Sequence, residues 1–161
     1  MGVILELLEG NQVVHAANLQ DTEALALRLA REIESVPRLI LILDGEMGAG
    51  KTQFCRFLME ALEVGDLQVA SPSFSIHNTY DSKIGAIEHI DLYRITNEDD
   101  LESTGFWDLF IEKPRLVVIE WGDRLREMGL LTGLPKSWPR LQVTFKINGL
   151  SEREFLFQKL L

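Results

Sequence analysis

The segment Gly45-Glu46-Met47-Gly48-Ala49-Gly50-Lys51-Thr52 constrains this chain more than any other stretch. It follows directly on Leu39-Ile40-Leu41-Ile42-Leu43, an unbroken apolar run of strand length. Runs of that kind belong to strands covered on both faces, as in α/β sheets. After Thr52, Phe54, Leu58 and Leu62 recur on one helical face, with Gly65 as the expected stop. A strand, a glycine-rich turn and an amphipathic helix are thus expected in succession. The eight residues satisfy G-x-x-x-x-G-K-[ST] at every fixed position. By average composition the pattern arises by chance in roughly one chain in two hundred of this length. The alternative G-x-G-x-x-G fingerprint fails, because the glycines fall at 45, 48 and 50.

The residue types explain the chemistry such a loop performs. Glycine reaches positive φ and lets the backbone wrap phosphate oxygens. Successive N–H groups then converge on the anion, and the helix N-terminus adds its positive end. Lys51 is expected to reach the β- and γ-phosphates of ATP, and Thr52 to offer its hydroxyl to Mg2+. An enzyme of this kind also needs a carboxylate near the metal and a group that orients water. Two acids end apolar strands: Glu120 after Leu116-Val117-Val118-Ile119, and Asp91 after Ala86-Ile87-Glu88-His89-Ile90. Spacing leaves open which is the base and which the Mg2+ partner. Lys51, Asp91 and Glu120 are the catalytic candidates, and Thr52, Glu120 and Asp91 the metal candidates.

The rest of the chain reads as one α/β domain over residues 1–161. Residues 3–8 and 12–16 suggest a hairpin about Gly10-Asn11. Asp21 or Thr22 is expected to cap a helix through Glu34, with Leu25, Leu29 and Ile33 on its buried face. Residues 74–80 and 86–90 read as strands, Asn97 as the cap of a short acidic helix, and 116–119 as a second buried strand. Residues 141–147 and 153–158 read as a late pair about Asn148-Gly149. The expected fold is a three-layer sandwich, P-loop NTPase-like, with a mixed, partly parallel central sheet.

Charge narrows the partners. Net charge is −9 over 161 residues, which argues against extensive direct nucleic-acid binding. One cysteine, Cys55, excludes an intrachain disulfide and reads as a small core residue. His77 and His89 lie in strand-like segments and receive no chemical role. Arg94 and Arg124 read as surface ion pairs before phosphate contacts, and Trp107 and Phe110 as core. No Lys or Arg precedes Arg28 and no apolar run spans a bilayer. The expected protein is cytoplasmic, with no membrane partner.

Four blocks in order carry a resemblance to a known family: the 45–52 loop, Ser71-Pro72-Ser73-Phe74, His89-Ile90-Asp91-Leu92-Tyr93-Arg94, and Ile119-Glu120-Trp121. The chain resembles the TsaE (YjeE) family of bacterial tRNA-modification ATPases. That resemblance implies a weak Mg2+-dependent ATPase acting with TsaD and TsaB to install threonylcarbamoyl on tRNA adenosine. It also implies that Ser73 lies near the γ-phosphate, at a position usually Thr, and that Trp121 lies against the nucleotide. Asp91 and Glu120 match the family's acidic positions. The nucleotide-binding set is then Gly45, Glu46, Met47, Gly48, Ala49, Gly50, Lys51, Thr52, Ser73 and Trp121. The alternatives are a stand-alone small-molecule kinase and a non-hydrolysing nucleotide-binding scaffold. The only lid-like stretch, 97–112, is acidic and lacks arginine, which disfavours the kinase. No Asn-Lys-x-Asp motif supports guanine.

Overall fold

The computed structural model describes residues 5–65 and 77–161. In chain order these form α1 (Glu6–Glu9), β1 (Gln12–Ala16), α2 (Leu19–Glu34), β2 (Leu39–Gly45), α3 (Lys51–Ala61), β3 (His77–Ser82) and β4 (Gly85–Asp91). There follow α4 (Glu98–Ser103), β5 (Leu116–Glu120), α5 (Asp123–Glu127), β6 (Arg140–Ile147) and β7 (Arg153–Leu160). Two 3-10 turns cover Phe106–Phe110 and Leu131–Gly133.

One seven-stranded sheet has the order β1-β7-β6-β2-β5-β4-β3. The pairs β2·β5, β2·β6 and β4·β5 are parallel, whereas β1·β7, β6·β7 and β3·β4 are antiparallel. The expected mixed sheet, parallel at the centre with antiparallel additions, is what the chain forms. The period-2 alternation of a strand explains the layers. Leu39, Leu41 and Leu43 enter one core with the apolar faces of α2 and α3. Ile40 and Ile42 enter a second core on the opposite face, with Leu101, Phe106, Leu125 and Trp138. Leu116/Val118 and Val117/Ile119 divide in the same way. The apolar runs in β2 and β5 are continuous because both faces are covered.

Three local expectations are corrected. Residues 5–10 do not hairpin onto 12–16: Glu6–Glu9 is a helical turn, and β1 pairs with β7. A four-residue helix has no stability of its own. It is held by Glu32, buried on α2, whose carboxylate accepts from Leu7 N and Leu8 N, each at 3.0 Å, while Leu7 fills the core. The α2 cap is Asn18, which accepts from Asp21 N at 2.9 Å, while the Asp21 carboxylate reaches back to Ala17 N. That reciprocal pair displaces Thr22, which is buried inside the first turn. Helix α3 ends at Ala61 rather than Gly65, because Glu63 already takes φ 56°.

Glu32→Ala is expected to cost about 3 kcal/mol in urea unfolding, because buried amides lose a charged acceptor. A loss below about 0.5 kcal/mol, the range of a neutral surface change, would show that this contact does not hold α1. No helix among the described residues is long and apolar enough to cross a membrane.

Candidate functional site

The parallel register assembles the site. β2, β4 and β5 run side by side, with Asp91 opposite Glu120 and Leu43 opposite Glu120. Both candidate acids and the glycine loop after β2 therefore emerge at the same sheet edge, the carboxyl ends of the strands, where open α/β sheets bind ligands.

The loop backbone matches its residue types. Gly45, Gly48 and Gly50 have φ of 145°, 81° and 101°, and a Cβ at Gly45 would lie 2.8 Å from the Phe145 carbonyl. Helices α2 and α4 are capped by Asn18 and Asn97. Helix α3 instead begins at Gly50, which has no side chain to cap its first amides. Those N–H groups are the ones an anion would satisfy. The carbonyl side of the loop is gripped from behind by Arg153 of β7: Nε donates to Ala49 O at 3.1 Å and Nη2 to Gly48 O at 3.4 Å. Its Nη1 donates to Gly149 O and Glu152 O at 3.1 and 2.9 Å. One guanidinium thus ties the loop to the β6–β7 turn. No sequence signal pointed to Arg153, which lies about a hundred residues from the motif.

Lys51 folds back onto its own loop, donating to Gly45 O and, at 3.1 Å, to Glu46 O. Its ammonium lies 4.1 Å from the centre of the Trp121 ring. Burial pulls its pKa down, while the charges of Glu120, Asp123, Asp91 and Asp44 oppose that shift. Trp121 adopts φ 60°, a conformation a bulky residue takes only under tertiary constraint. Two contacts supply that constraint. Trp121 N donates to Leu43 O at 2.9 Å, and the next residue has no room for a side chain, since a Cβ at Gly122 would lie 2.1 Å from Ile42 Cγ2. The indole consequently stands between Lys51 and Tyr93, whose ring centre is 5.0 Å away.

Glu120 is buried with its two oxygens facing different neighbours. Oε1 lies 3.5 Å from Thr52 Oγ1, and Oε2 lies 2.9 Å from His89 Nε2. His89, given no role from sequence, is thus the inner support of a candidate acid. The i, i+2 spacing of His89 and Asp91 was the available signal, since it places both on one face of β4. Asp91 accepts from Tyr93 N at 2.8 Å through Oδ1. Burial raises its carboxyl above the ordinary value. The Tyr93 bond opposes this and the Glu120 charge adds to it.

Asp44, the residue before the loop, was not singled out. Oδ1 accepts from Asp123 N at 2.9 Å, and among the described residues Oδ2 has only an ion pair of 3.6 Å to Arg126. Burial raises its pKa, the Asp123 charge adds to this, and Arg126 opposes it. A raised folded-state pKa means that folding favours the protonated form. That contribution to stability is present at low pH and lost as pH climbs through the folded pKa. Asp44→Asn, neutral throughout, should therefore unfold at an equal or higher temperature than the parent at neutral pH. The two melting curves should converge on acidification. A lower midpoint for the variant at neutrality would show that the charge itself is required.

Among the other candidates, Arg124 pairs with Glu127 at 3.3 Å and donates to Tyr93 O at 3.4 Å, so it is engaged at the surface beside the site. Ser71-Pro72-Ser73-Phe74, with Ser73, lies outside the described residues. Glu46 and Met47 sit in the exposed part of the loop, and Ala49 N closes a turn on Glu46 O at 3.1 Å.

The donor set suits a hard cation. Thr52 Oγ1, Glu120 Oε1 and the neighbouring Asp91 are all oxygen donors, the type Mg2+ takes. Glu120, Asp123, Asp91 and Asp44 all act on the Lys51 ammonium, and of these Asp44 also has Arg126 at 3.6 Å. A divalent cation would add positive charge among these acids before a triphosphate approached.

A mixed α/β sheet with a glycine loop and a lysine at the strand-to-helix junction defines the P-loop class of nucleotide-binding folds. Comparison with known proteins narrows that class. A sequence model described as threonylcarbamoyl adenosine biosynthesis protein TsaE matches residues 16–155. The chain belongs to the TsaE family. A Bacillus subtilis (strain 168) protein named tRNA threonylcarbamoyladenosine biosynthesis protein TsaE is 33% identical over 140 residues, covering 87% of this chain and 80% of its own. Its namesake from Borreliella burgdorferi is 37% identical over 111 residues, covering 68% and 74%. The Rickettsia felis protein of that name is 32% identical over 69% of this chain, and the match spans 63% of that relative's length. The crystal structure of Bacillus subtilis YdiB superposes with a TM-score of 0.62 at 26% identity, covering 91% of this chain and 83% of that one.

Proposed function

We propose that this chain binds ATP with Mg2+ at Gly45–Thr52 and hydrolyses it, acting with TsaD and TsaB homologues in threonylcarbamoyladenosine modification of tRNA. The observation that carries the reading is the convergence of Lys51, Thr52, Asp91 and Glu120 at one sheet edge, beside a helix N-terminus whose cap residue is Gly50. Membership of the TsaE family supports the pathway.

Each residue has a task. Lys51 exchanges Gly45 O and Glu46 O for phosphate oxygens, keeping a charged donor at the loop. The α3 amides hold the phosphates, while Arg153 keeps the loop carbonyls of Gly48 and Ala49 turned away. Trp121 offers its ring to the nucleotide side of the lysine. Mg2+, held by Thr52 with Glu120, would compensate phosphate charge. Asp91, at the neighbouring strand end, is then the carboxylate free to orient water and accept its proton. Ser73 is retained as a candidate phosphate-side hydroxyl.

The test is reconstitution. The chain, TsaD and TsaB homologues, ATP, bicarbonate, threonine and tRNA should give many modified tRNAs per complex, and the chain should co-purify with its partners in a nucleotide-dependent way. Equal multi-turnover modification without the chain would refute the assignment. Transfer of phosphate to a free metabolite at comparable rates would favour a kinase.

A further inference from the structure

Cys55 and His89 are left unused by this reading, yet they sit directly under its acid. Cys55 lies one turn along α3 from Lys51, fully buried and in no disulfide. His89 is also fully buried, and among the described residues its Nδ1 has no hydrogen-bond partner. A ligating atom from each of Cys55, His89 and Glu120 lies within 4.8 Å of the other two. Among the described residues this is the one such grouping of His, Cys and acidic side chains. Three different elements supply it: α3, β4 and β5.

The chemistry of the set differs from that of the outer site. Thr52, Asp91 and the outer oxygen of Glu120 are hard oxygen donors. The inner trio is one sulfur, one nitrogen and one oxygen, a combination that selects zinc-like ions over Mg2+. Three protein ligands with a fourth position open is the arrangement of many zinc sites. Zn–S and Zn–N bonds of about 2.3 and 2.0 Å require the donors to close in by roughly an ångström. The Glu120 side chain links the two environments, with Oε1 toward Thr52 and Oε2 toward His89.

We propose that Cys55, His89 and Glu120 form a binding site for a thiophilic divalent cation of the zinc type, and that filling it withdraws Glu120 from the nucleotide site and arrests hydrolysis. Binding forms bonds from the ion to Cys55 Sγ, a His89 ring nitrogen and Glu120 Oε2. The Cys55 thiol proton leaves to solvent, and the His89–Glu120 hydrogen bond is lost. No oxidation occurs. The inhibitory half rests on the ATPase reading above, whereas the binding half does not.

The full-length protein is titrated with Co2+ as a spectroscopic stand-in, without nucleotide. Because Cys55 is the only cysteine, a near-ultraviolet sulfur-to-cobalt charge-transfer band can arise from no other residue. The expected result is a saturable band, displaced by Zn2+, that is absent in Cys55→Ser and in Cys55→Ala. Absence of the band in the parent, or its persistence in either variant, overturns the site. In the second arm, stoichiometric Zn2+ is added to Mg2+-ATP hydrolysis with Mg2+ in large excess. The parent rate should fall about tenfold or more, as expected when an active-site carboxylate is lost. The Cys55 variants, which keep Lys51, Asp91 and Glu120, should hydrolyse at the parental rate with and without zinc. Equal zinc sensitivity in parent and variants overturns the inhibitory role. Should no preparation hydrolyse ATP even with partners present, the ATPase reading fails, while the cobalt band still decides the site.

Discussion

Lys51→Ala is expected to weaken Mg2+-ATP binding by about a hundredfold or more. Four carboxylates act on the ammonium, Glu120, Asp123, Asp91 and Asp44, and of these Asp44 is also paired with Arg126. Its donors already point into the loop, toward Gly45 O and Glu46 O. Truncation removes a desolvated charge-assisted contact and also leaves the acids facing the phosphates uncompensated. Loss of one partner of such a buried charged pair costs about 2–5 kcal/mol, and about 3 kcal/mol is more than a hundredfold in Kd. Calorimetry with Mg2+ present measures it, and urea unfolding checks that the variant is folded. An affinity within about threefold of the parent, on a scale where tenfold is about 1.4 kcal/mol, would remove Lys51 from the site.

Glu120→Gln should leave that affinity within a few-fold and lower hydrolysis by about 10²–10³-fold. Glutamine is close to isosteric and its amide oxygen or nitrogen can still meet His89, whose Nε2 lies 2.9 Å from Glu120 Oε2. What it lacks is the negative charge beside Thr52 Oγ1. The substitution therefore separates chemistry from architecture. Phosphate release, measured with the partner proteins present, reads the first, and the thermal midpoint reads the second. A rate within about threefold of the parent, which is under about 0.7 kcal/mol in barrier, would make Glu120 a structural support for His89 and remove it from the proposed Mg2+ site.

Both predictions concern residues that a one-dimensional reading reaches, and the reason is local. The loop is a contiguous motif whose glycines, lysine and threonine must be sequence neighbours to form one turn. β2 and β5 are legible because strands covered on two faces need unbroken apolar runs, and 39–43 and 116–119 have them. Asn97 was legible as a cap because capping acts over three residues. Residues 3–8 show the limit. An apolar run that short is compatible with strand or helix, and a contact from Glu32, some 25 positions away, decides for helix at Glu6–Glu9. Asn18 took the α2 cap from Asp21 and Thr22 for a subtler reason: Asp21 was needed to bond Ala17 N.

The amino-acid order by itself determined the strand–loop–helix unit, the two buried strands, the pair of strand-end acids and the expectation of a bound phosphate. Each depends on interactions a few residues long or on the two-residue and 3.6-residue periods of the backbone. Tertiary structure alone decided that Arg153 grips the back of the loop, that Trp121 turns left-handed to meet Lys51, and that His89 and Cys55 gather beneath Glu120. These contacts join strands and helices far apart in sequence, and their geometry follows from which strands pair in which register. No local pattern encodes that choice, because it is settled by the burial of both sheet faces at once.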